Sequence, residues 1–211
     1  MTQQPAAPDL RTPLFAAQAW VADLVEQVPD ERLAAPTPCD DFDVRRLLTH
    51  LVSVFQKLTA FATIHRDPHA GTHDDPGALE RLVEQLAADT VDGRSAQERA
   101  QVLRDEAQRA QEAWTDAVLD TPITLAWAPP MPGRMITGIY LMEVLAHGWD
   151  LATATGLDPE APCEVAEVGL ATAKQALPEQ GREGFPFADA HPAPAGAGPT
   201  TQLAAWTGRR A

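Results

Sequence analysis

Apolar side chains recur three and four positions apart in several separate stretches, each with the period of a helix half-buried in a core. Leu14, Ala17, Val21, Leu24 and Val28 form the first stripe, and Pro29 and the segment Ala34-Ala35-Pro36-Thr37-Pro38 end it. A second stripe runs through Val44, Leu47, Leu51, Val54, Leu58 and Phe61. Asp40 or Asp41 is expected to open that helix by accepting from the free amides of its first turn. Leu79, Leu82, Val83 and Leu86 predict a helix over 78–90, and Leu103, Ala107, Ala110, Trp114 and Ala117 predict another over 97–119. Gly93 separates the two, which read as one interrupted arm of a bundle. Further helices are expected over 135–155, 163–177 and 200–206, with Gly156 as a C-terminal stop.

Between these stripes the chain is punctuated. Residues 1–9 read as a loose tail, 65–77 as a polar loop carrying His65, His69 and His73, and 122–133, with four prolines and Trp127, as irregular chain or a short hairpin. Residues 181–199 are rich in Pro, Ala and Gly and read as an ordered but irregular surface segment. No stretch sustains period-two alternation, so the expected fold is all-α: a single domain over 1–211, a four-helix bundle with additional C-terminal helices.

The helix over 135–155 departs from the pattern of its neighbours. Leu141, Met142, Val144, Leu145, Trp149 and Leu151 make it apolar nearly all round, the mark of a buried helix. Yet Glu143, His147 and Asp150 line up on one narrow face. A buried carboxylate is costly unless paired, so this line calls for a partner of positive charge. Glu143 and His147 stand at i and i+4, one turn apart, a spacing that suits chelation of a single ion and equally suits a buried Glu–His hydrogen bond. His50, at the edge of the second stripe, offers a matching imidazole from another helix. Two helices contributing such residues to one interior is how bundles build metal sites. His50, Glu143 and His147 are therefore the candidate ligands, a set that leaves a coordination position open, as catalytic sites do. Zn²⁺, Ni²⁺, Co²⁺ and Fe²⁺ all accept such a set. Asp150 is a candidate to hold a ligand imidazole in one tautomer. Arg134 is a candidate for binding an anionic group of a cofactor or substrate, and Ser53 for a hydrogen bond near the metal.

Charge narrows the partners. With 16 basic and 30 acidic residues the net charge is −14, which argues against nucleic acid and anionic membrane. The most apolar stretch, 136–154, is interrupted by Glu143, His147 and Asp150 and does not read as a membrane span. The first residues have neither a basic region nor an apolar run of a signal peptide, so the expected location is cytoplasmic. Cys39 and Cys163 form no CxxC pair and read as small buried or half-buried side chains.

"PTPCDDFDVRRLLTHL" (Pro36–Leu51), followed about 90 residues later by "EVLAHGWDLATATG" (Glu143–Gly156), resembles the DinB-like metalloenzyme superfamily. More narrowly it resembles the branch containing the N-terminal domain of mycothiol-dependent maleylpyruvate isomerase and its stand-alone relatives, with "LAAWTGRR" (Leu203–Arg210) included in the likeness. The resemblance implies a four-helix bundle whose ligands match His50, Glu143 and His147, usually around zinc. It implies that a low-molecular-weight thiol such as mycothiol binds the metal and is used for S-transfer, conjugation or isomerisation of a small electrophile. Glu143 would then hold and orient the ion and Asp150 would tune an imidazole. The isomerase carries a further C-terminal domain where this chain has about 55 residues after Gly156, and Phe42 stands where relatives often have tryptophan or tyrosine. The rival reading is a non-catalytic metal- or ligand-binding bundle with a regulatory or structural role. A small molecule is the expected partner under either, and bundle faces would support a homodimer.

Overall fold

The computed structural model describes residues 8–40, 42–64, 91–125, 128–185 and 187–210. In chain order the elements are α1 (Arg11–Glu26), α2 (Val44–Ile64), α3 (Ala96–Ala113), the short α4 (Asp116–Asp120), strands β1 (Pro122–Leu125) and β2 (Ala128–Pro132), α5 (Gly133–Thr155), α6 (Cys163–Ala176) and α7 (Pro199–Trp206). The predicted helix over 78–90 and the histidines of the 65–77 loop lie outside the described residues.

The apolar stripes become the inner faces of α1, α2, α3 and α5. Leu14, Val21, Leu47, Leu51, Leu58, Leu103 and Leu141 are all inaccessible to solvent and belong to one continuous core. Directions follow from the tertiary contacts. Arg11 Nη1 donates to Trp114 O at 2.9 Å and Arg99 Nη2 to Asp30 Oδ1 at 2.7 Å, so α1 and α3 run antiparallel. Trp114 Nε1 donates to Leu58 O at 2.9 Å at one end, and Arg45 pairs with Asp92 at the other, so α2 and α3 run parallel. Leu10 lies against Gly138 and Trp20 against Gly148, which makes α1 and α5 parallel. The helices α1 and α2 each pack on both α3 and α5, so the ring order is α1, α3, α2, α5. The seam between α2 and α5 lies opposite the seam between α1 and α3.

Further helices close over the outer side of α5: α6 and α7 pack against it and against each other. This explains why α5 is apolar all round, since it is enclosed by the bundle on one side and by α6 and α7 on the other. The irregular segment before α7 is held by Arg182, whose Nη1 donates to Ala188 O and Trp206 O at 2.6 Å each while its guanidinium lies 5.5 Å from the Trp206 ring. Gly156, with φ +76°, ends α5 in the left-handed conformation that favours glycine.

The structure differs from the periodicity at several points. Asp43 rather than Asp40 caps α2, its Oδ1 accepting from Arg46 N at 2.8 Å, and Asp41 lies outside the described residues. The preceding turn is drawn back on itself by Thr37, whose hydroxyl donates to Phe42 O at 2.8 Å, so the helix cannot begin earlier. The helix expected over 97–119 breaks after Ala113, because the buried Trp114 anchors to α2 and the backbone of Thr115 is extended. The start of α3 is fixed by a capping box of Ser95 and Glu98. The proline-rich stretch, by contrast, takes one of its two expected forms, a short antiparallel hairpin with Ile123 opposite Met131. Prolines are tolerated there because a two-stranded ribbon has free edges. Cys163 is exposed rather than buried, at the start of α6.

Candidate metal centre

His50 enters from α2, and Glu143 and His147 come from successive turns of α5, all on the α2–α5 seam. His50 Nε2 lies 3.1 Å from Glu143 Oε1, and His147 Nε2 lies 3.6 Å from the same oxygen. Three ligand-type atoms from these residues fall within 4.8 Å of one another. The rings of His50 and His147 are 4.7 Å apart between centroids and inclined at 74°, so both imidazoles approach one carboxylate oxygen from different directions. The His50 and Glu143 side chains are each 22% exposed and that of His147 is 7% exposed, so the cluster is reachable from one side.

Behind His147 lies a second layer. His147 Nδ1 is 3.0 Å from Asp150 Oδ2, and the same carboxylate oxygen accepts from Arg209 Nη2 at 2.9 Å. Asp150 is wholly buried. With Nδ1 carrying its proton toward Asp150, the lone pair of a neutral His147 sits on Nε2, facing Glu143. Arg209 is positioned by the turn after α7, where its amide donates to Ala204 O at 2.9 Å and its Nη1 to Thr207 O at 3.2 Å. Cys39, His147 and Asp150 also come together. Arg209 already supplies the positive charge at Asp150, which argues against a cation there.

These contacts set the protonation of the cluster. Burial works against the Glu143 carboxylate, but hydrogen bonds from His147 and His50 outweigh it and hold this carboxyl well below its usual value. Burial lowers His50, and the bond to Glu143 only partly offsets it, so its pKa falls below 6.5. Burial also opposes the charged form of His147, yet its bonds to Asp150 and Glu143 prevail and its pKa lies above 6.5. The carboxyl of Asp150 is held low, against burial, by His147 and Arg209.

Phe42 forms a wall of the site. Its ring stacks on His50 at 5.1 Å and meets His147 edge-on at 6.2 Å, while the Arg46 guanidinium sits 5.6 Å from its centroid. The other sequence candidates fall elsewhere. Arg134 lies in the first turn of α5, paired with Asp120 and ~13 Å along the helix axis from Glu143. Ser53 donates to the carbonyl of His50 at 2.9 Å, a bond within its own helix. Trp127 lies outside the described residues.

Arg209, like Phe42, is a member of the site that spacing did not identify. Its signal was indirect: a buried line of polar groups on α5 in need of a cation, and an Arg-Arg pair after the last helix. No helix among the described residues is long and apolar enough to cross a membrane.

Comparison with known proteins identifies relatives of the chain. A family model described as the mycothiol maleylpyruvate isomerase N-terminal domain matches residues 14–152, which include all three cluster residues and Asp150 but not Arg209. Two uncharacterised proteins of Mycobacterium tuberculosis, from strains CDC 1551 / Oshkosh and ATCC 25618 / H37Rv, are each 30% identical over 201 residues, covering 93% of this chain and 97% of theirs. No solved structure matches the chain.

Proposed function

Since the chain belongs to the mycothiol maleylpyruvate isomerase N-terminal domain family, with its all-α DinB-like fold, we propose that it is a divalent-metal-dependent enzyme that uses a low-molecular-weight thiol, such as mycothiol, for S-transfer or isomerisation of a small electrophile. The observation that carries this reading is the convergence of two imidazole Nε2 atoms on one Glu143 oxygen. Two neutral nitrogens and one carboxylate fit a borderline divalent cation, zinc first among Zn, Ni, Co and Fe.

His50, Glu143 and His147 would hold the ion, and a fourth position would stay open toward solvent. A divalent ion bound there supplies Lewis acidity, so that a coordinating thiol is deprotonated near neutral pH. The protein's own contribution is preorganisation. Asp150 and Arg209 fix the tautomer and tilt of His147, and Phe42 holds His50 by stacking and shields one side of the site from water. Glu143 brings negative charge to a pair of neutral ligands. Arg46, one turn before His50, is better placed than Arg134 to meet an anionic substituent on a thiol or substrate. The partial exposure of His50 and Glu143 favours this reading over a sealed structural site.

Metal content by elemental mass spectrometry, combined with Co²⁺ substitution, tests the proposal. The expected result is about one ion per chain, lost in His147→Ala, and a cobalt spectrum that moves toward sulfur ligation when a small thiol is added. Removing the ion by chelation should leave the helices folded. Metal retained in full by His147→Ala would overturn the ligand assignment, and metal indifferent to thiols would overturn the chemistry.

A further inference from the structure

Arg45 pairs with Asp92, Arg134 with Asp120 and Arg209 with Asp150. Arg46 differs from them. It is exposed, and among the described residues no carboxylate lies within ion-pair distance of its guanidinium. The nearby Asp43 is engaged by the backbone, its Oδ1 accepting from Arg46 N at 2.8 Å. The contact that holds the guanidinium is the face of Phe42, 5.6 Å away at the ring centroid. That same ring stacks on His50 at 5.1 Å and meets His147 edge-on at 6.2 Å. Arg46 and His50 stand one turn apart on one face of α2, ~6 Å along its axis. An arginine with no acidic partner among the described residues thus borders the candidate metal cluster and is open to solvent.

Charge balance says what this guanidinium awaits. Behind the cluster, Asp150 is already matched by Arg209 at 2.9 Å. A divalent ion, the Glu143 carboxylate and a coordinated thiolate sum to zero while both imidazoles are neutral. Arg46 is then a positive charge left over at the rim. The chain as a whole carries −14 and repels an approaching anion, but screening over about 8 Å leaves the nearest charges to decide at the site itself. No hydrogen bond to a described residue occupies the Arg46 side chain, and the ring contact takes none of its donors. The planar fork is left for a carboxylate, which a guanidinium binds through two parallel hydrogen bonds.

We propose that Arg46 is a specificity-determining residue of the α2–α5 site and selects a reactant bearing a carboxylate, whose two oxygens its guanidinium binds at the rim. The inference rests on the metal-and-thiol reading above. The carboxylate belongs either to the thiol or to the electrophile, and its chemistry at Arg46 is the same. A spacer of a few carbons between sulfur and carboxylate covers the ~6 Å rise from His50 to Arg46.

The experiment is a titration of the cobalt-loaded full chain with β-mercaptopropionate and with its uncharged isostere β-mercaptopropionamide, read from the sulfur-to-cobalt absorption band. The acid should bind at least fivefold tighter than the amide. In Arg46→Met that ratio should fall at least fivefold with binding of the amide unchanged. Arg46→Lys, which keeps the charge but not the fork, should recover part of it. Equal loss of acid and amide in Arg46→Met would show that the arginine only holds Phe42 in place, and would overturn the proposal. So would a ratio unchanged in Arg46→Met, or one lost instead in Lys57→Met, which removes the cation two turns beyond His50 on α2. Acid and amide bound equally by the unaltered chain would overturn it while leaving thiol ligation intact. A cobalt band that responds to neither would remove the underlying reading, and the proposal with it. The source of the carboxylate is read from the zinc-loaded, ¹⁵N-labelled chain holding β-mercaptopropionamide. Propionate that shifts the Arg46 Nε signal assigns the carboxylate to the electrophile, and a preference confined to the thiol acid assigns it to the thiol.

Discussion

Arg209 reaches Asp150 across 59 positions of sequence, and the pair is the main support behind His147. Asp150 is buried without access to water, so removing its cation leaves a charge with nothing to replace it. Arg209→Met is expected to lower stability by about 3–5 kcal/mol, read from the urea midpoint at constant slope. Asp150→Asn alone should weaken metal binding roughly 10–100-fold by loosening the imidazole. The double variant should be more stable than the sum of the two single losses, because the unpaired charge is gone. Additivity would mean the two side chains act separately. The same cluster governs pH dependence in chelated protein. His50 is lowered, so its contribution is lost as pH falls from 6.5 through its folded value. His147 is raised, so its contribution is present below 6.5 and lost as pH rises through its folded value. Thermal melts of the metal-free chain should therefore peak near pH 6.5 and decline to either side, and metal should flatten that dependence on the alkaline side. A metal-free optimum displaced well above this point would contradict the assignment of His147. His50, Glu143 and His147 were legible in the sequence because helical spacing puts them on definable faces. Arg209 and Phe42 were not placed by spacing, since each acts through a turn whose path is set by tertiary contacts.

At the level of elements, helices were readable where one face is buried and unreadable where a single anchoring residue overrides the period. Trp114 continues the apolar stripe of α3, yet its indole bonds to Leu58 O and the helix ends there. The cap of α2 moved to Asp43 because the Thr37 hydroxyl holds the turn before it. Close approach of α1 to α5 depends on Gly148, which adjoins His147. A Cβ built there would stand 2.2 Å and 2.7 Å from ring atoms of Trp20 and 2.9 Å from Val21. Gly148→Ala should cost about 1–3 kcal/mol and weaken metal retention, because α5 must shift away from α1 at the turn that carries His147. Shortening the obstruction with Trp20→Leu should restore both, measured by melting temperature and by metal content. Unchanged metal retention in Gly148→Ala would show that the α1–α5 contact does not set the ligand position.

At the scale of the whole molecule, fold class followed from the sum of the stripes, while the ring order α1, α3, α2, α5 did not. Periodicity fixes which face of a helix is inward and says nothing about its neighbours. The contacts that decide it, such as Trp114 with Leu58 and Trp20 with Gly148, join residues far apart in sequence. The enclosure of α5 was the exception, since its all-round apolarity already required cover on both sides. That cover is supplied by α6 and α7, and α7 also delivers Arg209.

The Asp150–Arg209 pair has a consequence for the order in which the protein matures. A chain is made from its N-terminus onward, and domains fold as they emerge. His50, Glu143 and His147 are all synthesised well before Arg209. In that interval the Asp150 carboxylate has no guanidinium to meet, and His147 has lost part of what holds its ring. A nascent chain thus carries a complete set of candidate ligands that is not yet braced, and if the cluster holds a metal as proposed, tight loading would await the segment that brings Arg209.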